Sequence, residues 1–509
     1  MDFLQSVQRP ADIKISHFEA LNIHVLEDAS AEDIVPWSGY LPSAQGWDSV
    51  PREQLSQADE ASRVSLNNGT ISPGMQVYRE RQKELLTDNT AAFRTIRRIP
   101  PPAGESAARL GNSYEFFKNL EVCSGFWPDT SLALQAQDNQ QTGANHLAGN
   151  VKDNETPESN VPGHLQTNVL IGNGAQLPPD FRIQLLHSFT KLVAYPFGCN
   201  VTFARTEPRL HLTPPQSSAS PAPIRNQKSK QRLPSSHFNS SATFIYRTPT
   251  DRASARNGIV EGPLAVVSAR ASHTFSLPTD HNLDFAREVV AILLTAQQRS
   301  RQNKSERRFG QDEWWTTAPR WGGGPGGPIG REAEARLEAE KAVEDGIASG
   351  KGLASAVSLE ARRLIGGINP LPPAPSPSAS KRSKTALDKK GNLQIYENYR
   401  KMTPPSASWD AKCRYEAIGK IKGARYDDIF LISCLNHHVS IMRARVPDKL
   451  IEVLEGAEEG EGWGKLEICR TKWFDLYLGK ERVEALNIVW GLTAWLMRKV
   501  DDGLEKGNG

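Results

Sequence analysis

Apolar residues in this chain fall in periodic blocks, and the long stretches between the blocks have no such period. That spacing limits what can fold. Residues 128–165 are rich in Asn, Gln and Asp and carry no periodic apolar pattern. Residues 370–390, PLPPAPSPSASKRSKTALDKK, place proline at 370, 372, 373, 375 and 377, which stiffens a backbone toward polyproline II. Residues 214–236 hold four basic residues and no acidic one. Such stretches bury too little apolar surface to offset the entropy of ordering them. With 38% of 509 residues hydrophobic, and 34 prolines beside 39 glycines, roughly 250–320 residues are left for folded structure.

The blocks read as α+β, with antiparallel sheet packed against helices and with long disordered linkers and insertions. Residues 1–127 give partly ordered N-terminal segments: a strand-like alternation at Leu21, Ile23 and Val25, a helix over 75–97 and a short aromatic helix over 113–122. Residues 42–74 read as polar loop. After the 128–165 linker, residues 166–330 form an α+β module. It opens on a helix after Pro178-Pro179-Asp180 and continues with strands over 199–203, 209–212, 242–247 and 262–275 and a helix over 282–300. The 214–236 stretch is a disordered insertion within it, tolerable because closure entropy grows slowly with loop length. Polar helices fill 331–369, and a Pro-rich basic linker fills 370–392. A C-terminal α+β module spans 393–501, with a hairpin turning at Asn436-His437-His438 and a final helix from about 480 to 500. Whether the two modules share one core is not legible at this level.

Within the first module, residues 312–330 read DEWWTTAPRWGGGPGGPIG. Trp314, Trp315 and Trp321 supply large anchors with one N–H each. Gly322, Gly324 and Gly327 match dinucleotide-loop spacing, but that loop needs a buried strand before it and WWTTAPRW is not one. Trp314, Trp315, Arg320, Trp321, Gly322, Gly324 and Gly327 are therefore the candidate interaction segment, read as contact with protein. Nucleic acid is the less favoured partner: Arg299, Arg301, Lys304, Arg307 and Arg308 would meet phosphate, but Asp312 and Glu313 precede the tryptophans.

Net charge is +3, while residues 205–308 hold 16 Lys/Arg against 7 Asp/Glu, a local +9. Five cysteines without a C-x-x-C pair fit reduced thiols in cytoplasm or nucleus. The first residues, MDFLQSVQRPADIK, have no apolar signal core, and the best spanning candidate, 485–497, has 13 uncharged residues and is too short to span a membrane. Cys434, His437 and His438 lie close together, yet tetrahedral zinc wants a second spaced pair. Neighbouring histidines on a hairpin should also point to opposite faces, so no metal ligand is assigned. Asp427-Asp428 reads as a turn before a strand. No hydrolase motif is present, and no catalytic residue or cofactor is assigned.

Three segments, NLEVCSGFWPDTSL (119–132), WWTTAPRWGGGPGG (314–327) and LNHHVSIMRARVP (435–447), resemble an uncharacterised protein family of filamentous fungi. The resemblance implies no activity and carries over no functional residue. The expectation is an intracellular, non-enzymatic interaction or scaffold protein. The alternatives are an enzyme with a phosphate or nucleotide site at the Gly-rich loop, and a nucleic-acid-binding protein.

Overall fold

The computed structural model describes residues 2–7, 12–132, 170–204, 208–213, 236–270, 275–303, 412–458 and 462–499. Its strands are β1 Ile23–Leu26, β2 Cys199–Phe203, β3 Arg209–Leu212, β4 Ser236–Asn239, β5 Thr243–Arg247, β6 Val260–Ala269, β7 Cys413–Tyr415, β8 Tyr426–Leu435, β9 His438–Pro447, β10 Leu466–Arg470 and β11 Phe474–Asp475. The longer helices are α1 Met75–Leu85, α2 Asn89–Arg97, α3 Tyr114–Ser124, α4 Pro179–Ala194, α5 Pro278–Arg299, α6 Asp448–Leu454 and α7 Gly479–Met497.

Nine of these strands form one sheet in the order β1-β10-β9-β8-β6-β5-β2, with β11 on β9 and β7 on β6. Strands from the 166–330 and 393–501 segments, which the sequence leaves as two modules, meet at its centre. There β6 and β8 run parallel, from Val266 opposite Leu431 to Ala269 opposite Cys434. The fold is α+β, but the sheet is mixed rather than antiparallel throughout: β1–β10 and β6–β7 are parallel too. The physical reason is the crossover. A parallel pair needs a long connection, and β6 returns to β8 only after α5 has packed across the sheet.

The central strands are covered on both faces, so β8 reads as a near-continuous apolar run, Ile429–Phe430–Leu431–Ile432. Phe430, Ile432 and Cys434 face a core shared with α3, α4 and α7, while Ile429 and Leu431 face α5 and α6. Helix α5 is held to β8 by a buried ion pair: Arg299 Nε donates to Asp427 Oδ2 at 2.7 Å, and its remaining N–H groups reach the carbonyls of Pro263 and Ile418 at 2.9 Å. Trp490 of α7 is ringed edge-on by Trp47, Tyr78 and Phe197 at 6.4, 5.2 and 5.2 Å. Such pairs contribute about 0.5–1.5 kcal/mol each beyond burial, and they pin the N-terminal segments to the C-terminal helix.

Three expectations need correction. The helix expected over 75–97 is two helices, because Asp88 accepts from Ala91 N and caps α2 anew. The alternation around Leu21 is half helix: Ile15–Ala20 coils, Asn22 turns at φ 51°, and only Ile23–Leu26 is extended. The polar 42–74 stretch contains a helix, Leu55–Ser62, whose buried Asp59 accepts from Gln76 N at 2.7 Å. No helix among the described residues is long and apolar enough to cross a membrane.

Candidate metal centre

The carboxyl ends of the parallel strands β6 and β8 meet at one end of the sheet, the place where open α/β sheets gather ligands. The hairpin that leaves β8 there turns on two residues, Asn436 and His437, between the paired Leu435 and His438. Asn436 sits at φ 56°, a left-handed conformation that Asn tolerates better than most residues. Because His437 belongs to the turn, strand alternation does not govern it. Its ring lies beside that of His438, with centroids 4.2 Å apart, so the two histidines share a side of the hairpin and are not on opposite faces.

The third member comes from β11. Asp475 is the cross-strand neighbour of His438, and Leu476 N donates to His437 O at 3.0 Å. His437 Nε2 stands 3.7 Å from Asp475 Oδ1, and His438 Nε2 stands 4.0 Å from Asp475 Oδ2. One ligand atom from each residue lies within 4.8 Å of the others. Around a tetrahedral ion such atoms stand roughly 3.4 Å apart. The set would have to draw in by up to about 1.4 Å to reach that spacing.

His437 is the unusual member. Its side chain is 8% exposed, and neither ring nitrogen has a hydrogen-bond partner among the described residues. Trp127 and Tyr477 flank it, with ring centroids at 6.0 and 4.6 Å. Burial, then the His438 ring, push its pKa down to about 4 against the opposing pull of Asp475. At neutral pH it is a neutral imidazole whose lone pair meets no donor among the described residues. A buried polar group left so costs about 1–3 kcal/mol, and native structures rarely carry that without a use.

Asp475 is oriented from three sides. Its Oδ1 accepts from Tyr477 N at 2.8 Å, its Oδ2 accepts from Thr130 Oγ1 at 2.5 Å, and its own N–H donates to Glu481 Oε2 at 2.5 Å. Outer partners of this kind fix a metal-binding carboxylate in place. Asp129 is buried nearby, held by Asn89 and Ser131. Arg482 is fastened to the carbonyls of Leu85 and Tyr477 at 2.7 and 2.9 Å. Burial lowers its pKa to about 10, with Asp129 and Asp475 opposing that shift. His438 keeps 36% of its side chain exposed, which opens the group to solvent.

Cys434, adjacent in sequence, is not part of the set. Its Sγ points to Asn436 O at 3.3 Å, and burial pushes its thiol up to about 12. Cys413 and Cys469 lie on β7 and β10, and all five cysteines are free thiols. Asp427 and Asp428 are strand residues rather than a turn, committed to Arg299 and Arg443. Arg299 of the basic stretch is buried in that pairing and faces no phosphate. The candidate interaction segment, Trp314, Trp315, Arg320, Trp321, Gly322, Gly324 and Gly327, lies outside the described residues. The chain matches no protein-family model, no curated protein and no solved structure, so the functional reading rests on geometry.

Proposed function

We propose that this protein binds one divalent first-row transition-metal ion through His437, His438 and Asp475. What carries the reading is His437: a buried, neutral imidazole with no hydrogen-bond partner among the described residues, 3.7 Å from a carboxylate and beside a second histidine. Two imidazoles and a carboxylate suit zinc, iron(II), cobalt(II) or nickel(II) better than calcium or magnesium, which take oxygen ligands. His437 needs no deprotonation at neutral pH, which removes one obstacle to binding. Three protein ligands leave at least one position for water or a substrate oxygen, on the side where His438 meets solvent. An ion held there would act as a Lewis acid. Cobalt(II) titration of chelator-treated full-length protein, followed by visible absorption, tests this. The expected result is a tetrahedral-type spectrum saturating near one equivalent, lost in His437→Ala and displaced by zinc. An unchanged titration in His437→Ala at matched folding rules the site out.

A further inference from the structure

A second region has a different chemistry and shares no residue with the metal centre. Between α1, α3 and α4 lies a groove of about 420 Å³. Its floor is Asn119, whose Nδ2 donates to Glu115 O at 2.9 Å and to Ser188 Oγ at 3.2 Å, tying α3 to α4. One wall is a single face of α4, His187 and Lys191 at i and i+4, continued by Tyr195 and Pro196. Arg81 of α1 closes the other side.

His187 and Lys191 have unused capacity there among the described residues. Thr243 spends its hydroxyl hydrogen on Val267 O at 3.3 Å, so its oxygen accepts from His187 Nε2 at 2.7 Å. That assigns the tautomer: His187 Nδ1 carries the lone pair. Nδ1 has no partner among the described residues, and it is not among the fully buried unsatisfied atoms. Since His187 lines the groove, this lone pair is placed to accept there. Burial, with Lys191 adding, lowers the pKa of His187 to about 4, so the lone pair persists at neutral pH. Among the described residues Lys191 has no carboxylate within ion-pair distance. Its Nζ lies 5.9 Å from the Tyr195 ring, while Glu115, the acid on the rim, pairs with Lys118 at 3.4 Å. Arg81 is buried, bonded to Glu84 at 3.1 Å, and leaves its Nε without an acceptor.

A cation and an acceptor unpaired among the described residues, on one helix face beside the exposed ring of Tyr195 and the apolar Leu192 and Pro196, describe a ligand with three parts. We propose that the groove binds a small hydroxy acid, its carboxylate on Lys191, its hydroxyl donating to His187 Nδ1 and its carbon body on Tyr195, Leu192 and Pro196. A phosphate lacks the carbon body, and a plain carboxylate lacks the donor that the imidazole asks for.

The test uses the full chain and isothermal titration with 4-hydroxybenzoate, benzoate and inorganic phosphate. The expected result is saturable binding of 4-hydroxybenzoate, with benzoate weaker by about tenfold, the loss of one good hydrogen bond to a buried group. Lys191→Gln, at a half-exposed site, should leave the thermal transition in place and weaken binding about tenfold or more, while Lys191→Arg retains it. His437→Ala should leave this binding unchanged, which separates it from the metal reading. Three outcomes overturn the proposal: no saturable binding, equal affinity for benzoate and 4-hydroxybenzoate, or phosphate binding more tightly than either. Binding that survives Lys191→Gln in folded protein places the ligand elsewhere and also overturns it.

Discussion

At the scale of residues, the proposed metal centre was half legible. His437 and His438 stand side by side in the sequence, and their chemistry is plain from residue type. Their relative direction is not, because it depends on His437 falling in the turn rather than in β9. Asp475 lies 37 residues beyond His438 and joins only through the β9–β11 register, which no local pattern announces. Thr130, from the segment after α3, fixes Asp475 with its hydroxyl at 2.5 Å. Thr130→Val removes that bond while keeping shape. Metal affinity should fall about 10-fold, the low end for an outer-shell partner, with only a small change in urea midpoint. Competition against a chromophoric chelator reads the first and circular dichroism the second. Unchanged affinity would show that Tyr477 N alone orients the carboxylate.

At the scale of elements, strands were legible wherever apolar alternation was strong and turn residues bounded it. The 199–203 and 209–212 expectations coincide with β2 and β3. The helix break at Asp88 was missed because the apolar stripe continues across it, and a single cap decides the matter. Glycine in α7 gives the converse case. Gly491 in a helix interior reads as a defect of about 1 kcal/mol against alanine. In the fold a Cβ there would stand 2.8 Å from Leu41 Cδ2, 3.3 Å from Val35 Cγ2 and 3.4 Å from the Tyr40 carbonyl. Overpacking of this kind typically costs about 1–3 kcal/mol, which outweighs the propensity gain. Gly491→Ala should therefore destabilise in urea unfolding, and Gly491→Leu more so. A stabilised alanine variant would mean that the 35–41 segment yields easily.

At the scale of the whole molecule, the unity of the sheet was the least legible property. The β6–β8 pairing joins residues more than 160 positions apart in sequence, and the composition between them looks like a domain boundary. One consequence of covering both faces of the sheet is that several histidines are buried. Burial lowers the pKa of His187 to about 4 and that of His437 to about 4, and it lowers His211 to about 3, with Arg209 and Arg301 adding. The ordinary value is near 6.5, so between pH 6.5 and about 4 the unfolded chain takes up protons that the folded chain refuses. Stability then rises with pH across that window. The contribution is complete above about 6.5 and declines as pH falls toward 4, and for His211 toward 3. Each histidine adds at most about 1.4 kcal/mol per pH unit. With chelator present, the urea midpoint should drop steeply from pH 6.5 to 4.5, before most carboxylates titrate. His187→Gln keeps an amide donor for Thr243 Oγ1 without a titrating ring, so its curve should be shallower over the same interval. Parallel curves for the two proteins would mean that His187 takes up its proton in the folded state through the groove it lines. In that case acid would act on the ligand site before it acts on the fold.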